Sequence, residues 1–201
     1  MKTSIHSFFL SLIMISLSIV ATGQPFRIKS PDSDIQVIVD AKDSLSVGVF
    51  YRDDYLMGLS GISMRIKDKG VIGRNPDIET HYLKSADTVL FPVVKQKSAQ
   101  INDRFNELEI VFTGGYSVII RVYDDGFAYR FATRFREFPW RIMVIAGSDG
   151  NLITNQLPWL LSSPCRIQDP SWIRPGKVAW DWWNANNIYG VDFKSGIDCS
   201  R

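Results

Sequence analysis

The chain has 201 residues, 45% hydrophobic and 22% charged, with a formal net charge of +2. These values exclude disordered and fibrous chains, and the charge excludes a basic field for nucleic acid. The length suits one globular domain, or one domain and part of a second.

The first 23 residues read as a secretory signal peptide. Met1 and Lys2 give a positive start, Phe8 to Val20 is apolar, and Ala21-Thr22-Gly23 supplies small residues ahead of Gln24-Pro25. The apolar run is shorter than the roughly 20 residues a spanning helix needs, although an uncleaved anchor is the competing reading. The expected location is therefore periplasmic or extracellular. Export makes Cys165 and Cys199 a candidate disulfide, with two buried thiols as the alternative. His6 and His81 stand apart, so a structural zinc site is not expected.

From Phe26 to about Phe131 the hydrophobic period is two. "DIQVIVD" alternates Ile35, Val37 and Val39, and "SLSVGVFY" alternates Leu45, Val47 and Val49. "GISMRIKDKG" alternates Ile62, Met64 and Ile66, and "NELEIVF" and "YSVIIRVYDD" are rich in β-branched and aromatic residues. Such alternation predicts strands with one buried face. Turns are predicted at Pro31-Asp32-Ser33, Arg52-Asp53-Asp54, Lys69-Gly70, Gly114-Gly115 (a two-residue hairpin turn) and Asp124-Asp125-Gly126. Many short strands joined by tight turns predict a mainly β, antiparallel sandwich over 24–170, without a long helix before residue 150.

Asp124 and Asp125 have the residue types of a catalytic carboxylate pair, but Asp and Gly are what a turn requires, and the turn is the expected role. The cluster Asn102-Asp103-Arg104-Phe105-Asn106-Glu107 has groups for an ion or a sugar hydroxyl, yet reads more simply as a solvated loop entering a strand. After residue 138, "PWRIMVIAGSDGNLI" reads as a strand and then a turn. Pro158, Pro164, Pro170 and Pro175 brace an extended segment beyond it.

That segment leads to "KVAWDWW", a short predicted strand placing Trp180 and Trp182 on one face and Asp181 and Trp183 on the other. Three indoles need a large apolar partner surface, and either core packing or sugar stacking satisfies them. Asp181, Asn184, Asn186 and Asn187 supply hydroxyl-binding groups beside them. Trp180, Asp181, Trp182, Trp183 and Asn184 are the candidate substrate-binding residues. No nucleophile elbow, P-loop or dinucleotide fingerprint is present.

"SWIRPGKVAWDWWNANNIYGVDFKSGI", Ser171 to Ile197, resembles the junction motif of glycoside hydrolase family 97, exported α-glucosidases and α-galactosidases of polysaccharide-degrading bacteria. "PWRIMVIAGSDGNLI" resembles the segment before that junction, and "SPDSDIQVIV", "LMGLSGISM", "RFNEL" and "RVYDDGFAYRF" resemble the N-terminal domain. The resemblance implies an N-terminal β-supersandwich leading into a (β/α)8 barrel, with "KVAWDWW" as first barrel strand and 171–201 as the start of an uncompleted barrel. It implies α-glucan or α-galactoside substrates, and catalysis by carboxyl groups not contained in this chain. A calcium ion is implied for the complete enzyme, although no ligand to it is identifiable here. "RFATRFREFPWR" joins family segments that are normally far apart, so the sandwich is expected to be shortened near 133–137. A monomer is expected, with oligomeric state otherwise open. The alternatives are a non-catalytic carbohydrate-binding sandwich and a non-functional gene remnant.

Overall fold

The computed structural model describes residues 24–67, 70–94, 97–134, 136–174 and 176. Two antiparallel sheets dominate it. The first has four strands in chain order: β1 (Phe26–Lys29), β2 (Ile35–Ala41), β3 (Leu45–Tyr51) and β4 (Asp54–Ile62). After the two-stranded ribbon β5 (Met64–Ile66) and β6 (Gly70–Ile72), the second sheet takes β7 (Ile78–Leu90), β8 (Ile101–Phe112), β9 (Tyr116–Tyr123) and β10 (Gly126–Thr133). Both β11 (Arg136–Glu137) and β12 (Arg141–Val144) pair with the far edge of β10.

The period-two pattern decides which faces meet. Ile35, Val37 and Val39 of β2 and Leu45 and Val49 of β3 are fully buried. They share one hydrophobic cluster with Leu108, Ile110 and Phe112 of β8, Val118, Ile120 and Val122 of β9, and Phe127 of β10. Burying each such side chain contributes about 1.5–3 kcal/mol, so this inter-sheet layer is the main stabilising mass. A second, smaller cluster forms on the opposite face of the larger sheet. There Phe105, Tyr123 and Ala128 pack with Leu157 and Leu161 from the C-terminal segment.

The turns follow their residue chemistry. Arg52 and Asp53 both have positive φ, 48° and 72°, between the paired residues Tyr51 and Asp54. This is the mirror-image two-residue turn that matches strand twist. The β8–β9 connection is a three-residue loop, Thr113 to Gly115, closed by the Phe112↔Tyr116 pair. The expected two-residue turn is thus one residue longer, because the left-handed position falls on Gly115, at φ 72°, as the last loop residue. Asp124 and Asp125 form a two-residue turn between the paired Tyr123 and Gly126. Gly126 is required there by space: a Cβ would lie 2.3 Å from the Met143 carbonyl oxygen and 2.8 Å from Leu157 Cδ1.

Other expectations are corrected. "GISMRIKDKG" is not one strand, since Ile62 ends β4 and Met64 opens the separate β5–β6 ribbon. The turn expected after β12 is the first turn of helix α1 (Asp149–Thr154), whose Ser148 N-cap accepts from the Asn151 N–H. The proline-braced segment is not extended throughout. Pro158 sits in the first turn of helix α2 (Leu157–Leu160), a position that tolerates its missing N–H. Near 133–137 the chain reverses tightly, Thr133 opposite Arg136 and Ala132 opposite Glu137. The expected barrel strand "KVAWDWW" begins at Lys177 and lies outside the described residues.

One polar node joins the ends of the two sheets. The buried Ser30 hydroxyl donates to Asp32 Oδ1 at 2.5 Å and accepts from the Ile35 N–H at 3.0 Å. The Asp32 N–H donates to Asp124 Oδ1 at 2.9 Å, and Asp124 Oδ2 pairs with Arg104. The turn of one sheet is thereby fastened to a turn and a strand of the other. Burial acts to raise the Asp32 pKa, but hydrogen bonds from Ser30 and the Asp34 N–H, with Arg104 nearby, outweigh it and hold the carboxyl below its ordinary value.

Two measurements check this account. Gly126→Ala is expected to lower the unfolding free energy by about 2–3 kcal/mol in urea denaturation, through its backbone clash. Gly115→Ala, with open space around it, is expected to lose only about 1 kcal/mol from its left-handed backbone. Equal losses would contradict the close approach at Gly126. Asp32→Ala is expected to cost about 1–3 kcal/mol at pH 7, because Ser30 loses its acceptor. A depressed carboxylate contributes fully above its unfolded pKa of about 3.9 and loses that contribution as pH falls through the lower folded value, so the difference from wild type narrows below about pH 4.

Candidate functional site

The candidate residues Trp180, Asp181, Trp182, Trp183 and Asn184 all lie outside the described residues, as does Cys199. Cys165 is exposed. The described part of the chain nevertheless forms two clefts, each with charged or amide side chains in its wall, beside the segment that leads to them.

The first cleft, of about 670 Å³, lies where β10, β11 and β12 meet the α2 segment, and Arg130, Arg136, Glu137, Trp140 and Ser162 help line it. The pattern of β8 to β10 sends Glu107, Arg121 and Arg130 to the face opposite the main core. Tertiary contact, not solvent, accommodates them. Arg121 Nε donates to Glu107 Oε2 at 2.5 Å, both side chains being mostly buried. Its guanidinium lies 4.4 Å from the Phe105 ring centroid and 5.1 Å from that of Trp140. Arg130 Nη1 pairs with Glu137 Oε2 at 2.7 Å, and its guanidinium lies 4.2 Å from the Trp140 ring centroid. Arg130 Nε is shielded from solvent without a hydrogen-bonding partner, and the negative π face of Trp140 is the surface beside it. Burial pulls the Arg121 pKa down, and Glu107 more than reverses this, so the cation persists.

The second cleft, of about 590 Å³, lies at the β9–β10 turn and is lined in part by Tyr51, Asp124, Asp125, Asn151 and Asn155. Asn155 Nδ2 donates to Asp125 Oδ2 at 2.6 Å, while Asn155 Oδ1 accepts from the Leu157 N–H at 2.9 Å. One amide therefore ties the turn to the start of α2. Burial raises the Asp125 pKa, and the neighbouring Asp124 charge adds to it. Asp124 and Asp125 thus form the expected turn, and both carboxylates in addition fasten the fold.

Residues 102–107 are not a loop entering a strand: they lie within β8. The sheet uses the side chains of Asp103, Arg104, Asn106 and Glu107. Arg104 pairs with Asp124, and Asn106 Nδ2 donates to the Lys29 carbonyl at 2.8 Å. The Tyr123 hydroxyl donates to Asp103 Oδ1 at 3.4 Å. Burial, followed by the Asp103 charge, pushes the Tyr123 pKa well above its usual value, and burial also raises that of Asp103. Among the described residues no group of three or more His, Cys, Asp or Glu side chains converges to hold a metal ion. Sequence reasoning missed the Arg130–Trp140–Glu137 arrangement. Its only signal was arginine at outward positions of otherwise apolar strands.

The clefts hold arginine, indole, carboxylate and amide groups suited to polar ligands, on a two-sheet scaffold. Comparison with known proteins gives this scaffold a family. A retaining alpha-galactosidase of Bacteroides thetaiotaomicron is 54% identical over 63 residues, which span 31% of this chain and 10% of that protein. A glycoside hydrolase family 97 enzyme from Pseudoalteromonas sp. strain K8, solved with acarbose, aligns at 18% identity and TM-score 0.48, covering 54% of this chain and 17% of that one. A beta-arabinopyranosidase aligns at 23% identity and TM-score 0.48, covering 54% and 18%. The sequence profile described as Glycosyl-hydrolase 97 N-terminal matches residues 28–137, from β1 through β11, and the chain belongs to that family.

Proposed function

We propose that this chain serves as the N-terminal sandwich of an exported glycoside hydrolase acting on α-galactosides. The observation that carries this reading is the 54% identity over 63 residues to a retaining alpha-galactosidase. That match spans 10% of the relative's length, so the activity of the complete enzyme is inferred and not contained in these strands. Residues 1–23 act as the export signal in this reading, and Cys165 and Cys199 pair after export.

A retaining enzyme needs two carboxyl groups about 5–5.5 Å apart, one as nucleophile and one as acid and then base. Asp124 and Asp125 are bound into the turn, so the reacting carboxyls are assigned to polypeptide beyond the sandwich. The sandwich supplies a rigid wall, and Trp180, Trp182 and Trp183 supply apolar faces for the pyranose ring, with Asp181 and Asn184 bonding its hydroxyls. Calcium, expected for the complete enzyme, finds no ligand set among the described residues, and no step is assigned to it.

The purified chain is expected to release no p-nitrophenol from p-nitrophenyl α-galactoside above a blank. Measurable turnover would refute the placement of the reacting carboxyls. Titration with an α-galactoside oligosaccharide is expected to shift tryptophan fluorescence saturably. Trp182→Ala is expected to weaken binding about tenfold, near 1.4 kcal/mol, the scale of one lost ring contact. A preferential response to maltooligosaccharides would move the assignment to α-glucosides.

A further inference from the structure

We propose that the free edge of β7 is a self-association surface, on which a second copy of this chain pairs antiparallel about a two-fold axis. β7 is the outermost strand of the larger sheet and has 13 residues. It pairs with β8 without irregularity from Thr80 to Leu90, so its outer edge offers an equally regular row of N–H and C=O groups. Within that regular stretch three large apolar side chains stay open: Tyr82 is 59% exposed, Leu83 67% and Val89 49%. Leu83 lies opposite the buried Leu108 and so belongs to the core-facing side of the sheet. The opposing sheet ends at β1, where Phe26 contacts His81 at a ring-centroid distance of 5.0 Å. Among the described residues both sheets therefore end along the same side of the sandwich.

Two-fold symmetry restricts the pairing. Paired residues alternate between hydrogen-bonded and non-bonded types, so a symmetric antiparallel ladder must place one residue opposite its own copy. Centring on Leu83 sets Asp87 against Glu79, and centring on Lys84 or Asp87 sets a charge against itself. Centring on Ser85 sets Leu83 against Asp87, and centring on Thr88 sets Val89 against Asp87. Centring on Tyr82 avoids these conflicts as well, but it sets His81 against Leu83 and uses the irregular Ile78–Thr80 end, whereas centring on Ala86 matches apolar with apolar inside the regular stretch. Leu83 then faces Val89, Tyr82 faces Leu90, Lys84 faces Thr88 and Ser85 faces Asp87. The Leu83–Val89 contacts, made twice by symmetry, extend the apolar core side across the junction. Apolar cross-strand pairs stabilise such a ladder, while like charges placed opposite each other oppose it.

The purified chain is examined by sedimentation equilibrium alongside two double variants at exposed positions. Wild type is expected to be a dimer. L83E/V89E, which sets glutamate against glutamate, is expected to be a monomer, with dimer affinity reduced at least tenfold. L83K/V89E, which sets lysine against glutamate in the same register, is expected to restore the dimer. Circular dichroism of all three verifies that the sandwich is folded. A wild type that is monomeric at about 100 μM, an open-ended aggregate, or two variants of equal affinity would each overturn the proposal. The assay requires no sugar binding, so its outcome is independent of the assigned substrate.

Discussion

The structure rests on a single apolar layer between two sheets of unequal width. Ile35, Val37 and Val39 on one side and Ile110, Val118, Ile120 and Val122 on the other are essentially inaccessible to water. Their strands are neighbours within each sheet, so the layer depends on register. A slip of one residue in any strand would exchange its buried and solvent-facing sets. The turns hold this register. Arg52-Asp53, Thr113 to Gly115 and Asp124-Asp125 each adopt a short closure with few alternatives. The Ser30–Asp32–Asp124–Arg104 node then fixes one sheet end against the other.

The opposite face of the larger sheet is organised differently. It carries ion pairs and aromatic rings beside a smaller apolar cluster, with Arg121 between Glu107 and two rings, and Arg130 between Glu137 and Trp140. Breaking such a pair by removing one partner strands a poorly hydrated charge, which costs more than the intact pair contributes. The C-terminal segment closes on this face through Leu157 and Leu161, and Asn155 anchors it to the β9–β10 turn. Two clefts remain where that closure is incomplete. They belong to the boundary between the sandwich and the segment carrying the tryptophan motif.

How far the sequence alone revealed this depends on burial geometry. β2, β3 and β8 were legible because each has one face in the core, which imposes alternate burial on Ile35–Val39, Leu45–Val49 and Leu108–Phe112, while β9, buried on both faces, was legible from its β-branched and aromatic residues. β7 was not legible. As an edge strand, open for most of its length, it has no reason to alternate, and "IETHYLKSADTVL" reads as polar and irregular. The helices α1 and α2 were missed because they span 6 and 4 residues, too short for a 3.6-residue period to show. The turn role of Asp124 and Asp125 was legible from residue chemistry, but their long-range partners were not. Pairing of Asp124 with Asp32 and Arg104 depends on how the sheets stack, which local spacing does not encode. The tryptophan motif was conspicuous in the sequence and directed the family resemblance, whereas the Arg130–Trp140 contact emerges only from the fold.

The reversal between Thr133 and Arg136 has a consequence for how such sandwiches vary in size. Its two ends, Thr133 and Arg136, are directly opposed across a ladder at the margin of the sheet, where Arg136 and Glu137 are exposed. A polypeptide graft whose own termini lie one strand spacing apart would leave that ladder intact, and the entropy of closing it grows only logarithmically with its length. Chain length at this hairpin is therefore only weakly constrained by the energetics of loop closure.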